Sequence, residues 1–240
     1  MISISNLNKS FGLQQVLRNI NLAIKTAEIL VVMGESGSGK TVFLQHLDGL
    51  IKPDSGKIEI DGRDIVPLAE NELLKLRKGI GYMFQEGALF DFMTVFENLA
   101  FPLQEHTTLT SAEISKKVAG ALTEVGLEGA EDKLPSQLSG GMKKRAALAR
   151  SIILGSKIIF CDEPTSGLDP QRSRDISDLI QKISRKFGST TVVTSHDVTN
   201  SLRIADRLAL IKDGAIVAIG TKRDLELSEN IEVKKFLLKI

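Results

Sequence analysis

The stretch Gly34-Glu35-Ser36-Gly37-Ser38-Gly39-Lys40-Thr41 lies between an apolar run, Ile29-Leu30-Val31-Val32-Met33, and a helix-like segment from Lys40 to Leu50. Strand, glycine-rich turn and helix, in that order, match the P-loop pattern in full. The glycines let backbone N–H groups turn inward on a phosphate, and the helix N-terminus adds positive potential. The pattern assigns Lys40 to the outer phosphates of a nucleotide and Thr41 to a magnesium ion. A P-loop alone leaves kinases, GTPases and many ATPases open. The rest of the chain must choose among them.

Outward from that loop the pattern alternates. Ile2, Ile4 and Leu7 read as one strand, Val16 to Ile24 as a second and Lys57 to Ile60 as another, closed by Asp61-Gly62. A charged helical stretch near Ala69 to Arg77 leads into a strand near Gly79 to Phe84. From about Glu86 to Ser156 the patterns are mostly helical, and Thr110-Ser111-Ala112-Glu113 fits a capping box. Alternation then resumes. Lys157 to Cys161 reads as strand, Pro170 to Phe187 as helix, Thr190 to Thr194 as strand and Val198 to Ala205 as helix, before two strands joined at Asp213-Gly214. The sum is an α/β chain with a helical insert. We expect a single domain over 1–240, with 1–85 and 157–240 forming the α/β lobe and about 86–156 the helical one.

Ile158-Ile159-Phe160-Cys161-Asp162-Glu163 is an apolar strand ending in two acids. Strand ends deliver side chains to the ligand crevice of an α/β sheet. Asp162 is thereby placed to hold magnesium, and Glu163 to act as general base on an attacking water. Taken alone, the pair reads equally well as an acidic loop cap. Cys161, the one cysteine, reads as a small buried hydrophobe. Leu138-Ser139-Gly140-Gly141-Met142 precedes a helix near Lys143 to Ile152, which makes a second amide-rich helix start. One P-loop domain does not need two. The economical reading gives Ser139, Gly140 and Gly141 to ATP held by a second copy of the chain.

With these residues in view the chain resembles the ABC-type ATPases over essentially its whole length. That resemblance implies a P-loop core of ABC type with an antiparallel β subdomain and an inserted α-helical subdomain. It also implies MgATP as the bound group. Phe11 resembles the aromatic that stacks on adenine, and Gln85 the glutamine that senses magnesium and the γ-phosphate. Ser166-Gly167-Leu168-Asp169 resembles the loop through which each subunit feels its partner, and His196 the histidine that contacts the γ-phosphate. The signature reads LSGGM where LSGGQ is commoner, so Met142 is a departure that leaves the serine and both glycines intact. Without this context Phe11 reads as a core aromatic, His196 as a structural or exposed histidine, and Asp169 as a helix cap. His46 and His106 fit no motif.

The segment Phe84 to Leu103, rich in apolar and aromatic residues, suggests a partner groove, although many of these side chains pack inside the helical lobe. With LSGGM-Lys143-Lys144-Arg145-Ala146-Ala147-Leu148-Ala149-Arg150, it resembles the ATPases of the Mla and Mce-associated lipid transporters. The partners so implied are a second copy, an integral-membrane permease, an Mce-domain substrate-binding protein and a small STAS-domain protein. The implied place is the cytoplasmic face of the inner membrane. ATPases of other ABC transporters, for amino acids or lipoproteins, share the same catalytic features. A cytosolic ABC ATPase of iron–sulfur assembly and a chromosome-organising ABC ATPase are alternatives, the latter disfavoured by the absence of a sustained heptad run.

The 31 basic and 30 acidic residues give a net charge of +1, so there is no nucleic-acid footprint in the bulk charge. No apolar run approaches the ~20 residues of a membrane span, and the N-terminus shows no secretory pattern. A transport role therefore requires another chain to supply the pore. Val233, Phe236, Leu237 and Ile240 share one helical face, which suits packing on the chain's own domain or contact with a partner.

Overall fold

The computed structural model describes residues 1–237. In chain order the elements are β1 (Ile2–Phe11), β2 (Gln14–Ile24), β3 (Ile29–Met33), α1 (Lys40–Leu47), β4 (Ser55–Ile60), β5 (Arg63–Asp64), α2 (Glu70–Arg77) and β6 (Ile80–Met83). There follow α3 (Val95–His106), α4 (Ser111–Val125), α5 (Gly140–Ile152), β7 (Ile158–Asp162), α6 (Pro170–Phe187) and β8 (Thr190–Ser195). The last are α7 (Val198–Ile204), β9 (Arg207–Lys212), β10 (Ala215–Gly220), α8 (Lys222–Glu226) and α9 (Ile231–Leu237). The chain forms two compact units, one of Met1–Arg77 with Thr190–Ile240 and the other of Lys78–Ser189.

The first unit holds an antiparallel sheet in the order β2-β1-β4-β5. In β1 the buried residues are Ile2, Ile4 and Leu7, so the alternation slips between Ile4 and Leu7, where the β1–β2 register shifts. Asn6 sits at the slip with φ +50°, a left-handed conformation that asparagine tolerates. Its N–H donates to Asn21 Oδ1 at 2.9 Å and its carbonyl accepts from Asn8 Nδ2 at 2.8 Å, so the bulge leaves neither backbone group unpaired.

In the same unit β3 pairs in parallel with β8 on one side and β9 on the other, and β10 runs antiparallel to β9. All five residues of β3 are buried, as are all six of β8. This accounts for a continuous apolar run in place of alternation, because a parallel strand is covered on both faces. Helix α1 ends at Leu47, short of the Leu50 expected from the sequence. Gly49 turns left-handed at φ +67°, and Arg77 donates to the carbonyls of Asp48 and Gly49 at 3.0 Å each, taking the place of another helical turn.

The second unit pairs β6 and β7 in parallel and packs α3, α4, α5 and α6. Both α3 and α4 begin with capping boxes, Thr94 with Glu97 and Thr110 with Glu113. Each threonine hydroxyl takes an otherwise orphan helix N–H while the glutamate returns to the threonine N–H. Helix α6 starts at Pro170 behind its cap Asp169 and stops at left-handed Gly188. It buries Ile176, Leu179, Ile180 and Ile183, one face at helical spacing. Among the described residues no helix is long and apolar enough to cross a membrane. Of the C-terminal stripe, Val233 and Phe236 are buried, Leu237 is half-buried and Ile240 lies outside the described residues.

Candidate nucleotide site

In the first unit the loop Gly34 to Gly39 leaves β3 at Met33, whose register partner on β8 is Ser195. Gly34 and His196 are the next residues of their respective strands, so the glycine-rich loop and the histidine emerge from the sheet at the same level. Two of the loop's glycines have a steric reason. A Cβ on Gly34 would lie 2.5 Å from both the Ile211 carbonyl oxygen and Ser38 Oγ. A Cβ on Gly39 would meet the Val16 carbonyl oxygen at 2.9 Å, and its φ of +99° is one L side chains rarely adopt. Lys40 is buried, and its Nζ donates to the Gly34 carbonyl at 2.9 Å and the Glu35 carbonyl at 3.0 Å, so the ammonium closes the loop on itself. Thr41, Glu35, Ser36 and Gly37 are exposed. Ser38 Oγ is buried with no hydrogen-bond partner. An orphan hydroxyl in a glycine-rich loop at a helix N-terminus fits an anionic oxygen group, as a nucleotide phosphate is.

His196 is exposed, and the turn around it is tightly built. Ser195 Oγ accepts from the Asp197 N–H at 2.9 Å, and Asp197 caps α7 by accepting from the Asn200 N–H at 3.0 Å. Phe11 ends β1 at the tip of the β1–β2 hairpin, 47% exposed, with Lys9 Nζ 5.3 Å from its ring centroid. It is therefore not a core aromatic. An exposed ring beside the strand whose Val16 carbonyl touches the phosphate loop is available for stacking. A cavity of ≈ 510 Å³ also opens beside the loop, between Glu35, Ser36 and Ser38 on one side and Lys212, Glu232 and Phe236 on the other. Its walls take in Glu35 to Ser38 of the loop but neither Phe11 nor Lys40.

In the second unit β7 is buried throughout and ends at Asp162, with Glu163 next; they are 3% and 7% exposed. Glu163 has φ +44°. A left-handed glutamate costs about 1–2 kcal/mol, and such strain persists only where the surroundings hold it. Cys161 is fully buried, and burial, aided by the Asp162 charge, pushes its thiol up to about 12, which makes it inert at neutral pH. Asp169 is the cap of α6: it accepts from the Arg172 N–H at 3.0 Å, and that bond holds its carboxyl below the usual range. Ser139 caps α5 by accepting from the Met142 N–H at 3.4 Å. The helix thus begins at Gly140, three residues before the start expected from the sequence. Ser139 and Gly140 are exposed and Gly141 half-buried; a Cβ on Gly140 would meet Leu168 at 3.4 Å. The signature start and the loop before Asp169 are therefore neighbours. Gln85 is exposed, and its backbone carbonyl accepts from Lys144 Nζ.

Lys144, Arg150 and Asn98 lie in the stretches that carry the family resemblance but have no motif role of their own there. Arg150 donates to the carbonyls of Ala88 and Gly87 at 2.8 and 3.0 Å, and its guanidinium lies 5.8 Å from the Phe90 centroid. Asn98, fully buried, accepts from the Phe90 N–H at 2.8 Å and donates to the carbonyls of Phe90, Met93 and Thr94. These side chains fix the loop after Gln85. On its outside Phe90, Phe92 and Phe101 make an aromatic cluster, with Phe92 78% exposed. One signal was legible: Lys144, Ala147, Leu148 and Ser151 fall at helical spacing, so a lysine stands on the buried face of α5.

Among the described residues no group of three or more His, Cys, Asp or Glu side chains could hold a metal by itself. Magnesium bound by a carboxylate, a hydroxyl, phosphates and water needs no such cage, so the residues present fit the ion.

A strand–P-loop–helix unit and a strand ending in Asp162-Glu163 define a P-loop nucleotide-binding protein. The chain belongs to the ABC transporter family, whose model matches residues 17–166. It is 41% identical over 98% of its length to the probable ribonucleotide transport ATP-binding protein mkl of Mycobacterium tuberculosis, of whose length it spans 66%. It is 42% identical over 99% of its length to the intermembrane phospholipid transport system ATP-binding protein MlaF of Haemophilus influenzae, spanning 90% of that protein. The dimeric post-hydrolysis structure of the ATP-binding cassette MJ0796, bound to ADP and Pi, is similar at a TM-score of 0.86 and 33% identity, covering 93% of this chain and 99% of that one.

Proposed function

We propose that this chain is the ATP-hydrolysing subunit of a membrane ABC transporter, and that it powers movement of phospholipids or related lipids between bacterial membranes. The observation that carries the first part is the pairing of Gly34–Thr41 with Ser139-Gly140-Gly141 on one chain. The second part rests on the likeness to the phospholipid transport protein and on the exposed aromatic loop after Gln85.

The residues divide the work. The amides of residues 34–41, with Lys40, hold the phosphates, and Phe11 stacks on the adenine. Thr41, Asp162 and Gln85 would hold magnesium, which would supply charge neutralisation at the transferring phosphoryl group. Glu163 takes a proton from the attacking water, and His196 orients that water. Ser139, Gly140, Gly141 and Asp169 serve a nucleotide held by a second copy. Nucleotide binds the closed pair more tightly than the open one, and that difference drives association. The exposed cluster around Phe90 and Phe92 receives an integral-membrane permease. The chain sits on the cytoplasmic face of the inner membrane through that partner, with an Mce-domain protein and a STAS-domain protein completing the assembly.

Purification of the tagged chain from its native membranes in mild detergent, followed by mass spectrometry and an ATPase assay, tests this. A permease, an Mce-domain protein and enriched phospholipid support the lipid branch. The mycobacterial relative is described as a probable ribonucleotide transport protein, so a different permease with bound ribonucleotides would move the cargo there and keep the ATPase. Absence of ATP hydrolysis in the intact complex would overturn the enzyme itself.

A further inference from the structure

We infer that Lys144 is a positioning residue for hydrolysis, tying the start of the signature helix to both the Gln85 segment and the loop before Asp169. This inference rests on the ATPase reading and deepens it.

Lys144 lies on α5, five residues after Ser139, and is only 7% exposed. Lysine is rarely buried to that degree unless it is paired. Its Nζ donates to the Gln85 carbonyl and, at 3.3 Å, to Ser166 Oγ. These acceptors stand 59 and 22 residues away in the chain. One ammonium therefore joins the signature helix, the glutamine segment and the turn that follows Glu163, whose carbonyl accepts from the Ser166 N–H at 3.0 Å. Its charge also faces Glu86, Glu163 and Asp162.

A neighbouring position shows that this is not the general behaviour of the basic run. Lys143, half-buried, has no hydrogen bond to either segment among the described residues, and Arg145 donates to the Val125 carbonyl at 2.7 Å, tying α5 to α4. Within that run, Lys144 alone reaches the loops that carry the proposed chemistry. A group that aligns reacting residues without touching substrate lowers the barrier by fixing geometry, and a displacement of about 1 Å can cost on the order of 100-fold in rate.

The test compares wild type with Lys144→Met, Lys144→Gln, Lys144→Arg, Ser166→Ala and the Lys144→Met/Ser166→Ala pair. ATP affinity, kcat, KM and melting temperature are measured for each. Lys144→Met should lose about tenfold or more in kcat with ATP affinity within about twofold. Lys144→Arg should retain most of the rate. The double variant should lose less than the product of the single losses, because both remove one contact. Should Lys144→Met fail to fold, Lys144→Gln, which keeps a donor of similar length without the charge, carries the same comparison. Wild-type kcat in Lys144→Met, or in Lys144→Gln where only that folds, overturns the inference. So does a loss of kcat matched by equal loss of ATP affinity, or strictly multiplicative losses with Ser166→Ala. If wild type itself does not hydrolyse ATP, the ATPase reading fails, which is a separate result.

Discussion

Glu163 marks the limit of what local sequence order discloses about a single residue. Its place after an apolar strand and beside Asp162 was legible, because both follow from the order of residues along the chain. Its left-handed backbone at φ +44° was not, since nothing in the neighbouring residues demands it. Strain at a candidate base is what a site built for geometry over stability looks like. Glu163→Gln keeps the shape and removes the proton acceptor, so it should bind ATP, stay paired with a second copy, and lose on the order of 100-fold or more in turnover. Undiminished steady-state hydrolysis would remove Glu163 from the mechanism. Asp48 is the opposite case, a buried carboxyl of no catalytic role. Burial pushes it up to about 7 from an ordinary 3.8, against the pull of Arg77. The folded state thus holds the Asp48 proton more tightly than the unfolded chain. Its share of stability is full below about pH 4 and declines as pH rises towards 7. Asp48→Asn should flatten that slope and gain on the order of 3 kcal/mol at pH 8, with little gain at pH 4. Urea unfolding at the two pH values reads this directly, and an equal effect at both would place the cause outside the carboxyl.

At the scale of elements, what the sequence disclosed was whatever is encoded within a few residues. The capping box at Thr110–Glu113, the proline-started α6 and the apolar runs of β3 and β7 all fall in this class. The slip in β1 and the loop from Gln85 to Thr94 do not, because groups that fix them, Asn21 for the first and Lys144 and Arg150 for the second, lie well away in the chain. The loop is the clearest instance. It has no regular structure of its own, yet Asn98, Arg150 and Lys144 take up its carbonyls one after another. Asn98 reads like any polar residue inside α3, and only its four partners set it apart. Asn98→Leu is close in volume but removes the acceptor of the Phe90 N–H and the side-chain donor to the Phe90, Met93 and Thr94 carbonyls, of which Phe90 and Thr94 keep a backbone donor. It should cost about 2–4 kcal/mol and speed hydrogen exchange across residues 86–94 while α4 and α6 keep their protection. Unchanged exchange in that loop would mean that Arg150 and the Phe90–Phe101 contact suffice to order it.

The scale of the whole molecule is where the proposed second phosphate site at Ser139 has its consequence. A chain that uses both Lys40 and Ser139 on one nucleotide would be inactivated by loss of either, and no mixture of such variants could recover. A chain whose Ser139 serves the nucleotide of a second copy behaves differently. In a pair built from one Lys40→Ala subunit and one Ser139→Arg subunit, one site receives an intact P-loop and an intact signature together, and the other receives neither. Each variant alone should be nearly inactive. An equimolar mixture, dissociated and reassembled, should regain up to about a quarter of wild-type hydrolysis, since about half the pairs are mixed and each carries one whole site of two. The gain should scale with the measured fraction of mixed pairs. Mixed pairs that form in the expected amount and hydrolyse no faster than either parent would show that both phosphate-binding segments act within one chain. Recovery would tie the P-loop, legible from sequence alone, to the serine-glycine helix start that makes sense only in a second copy.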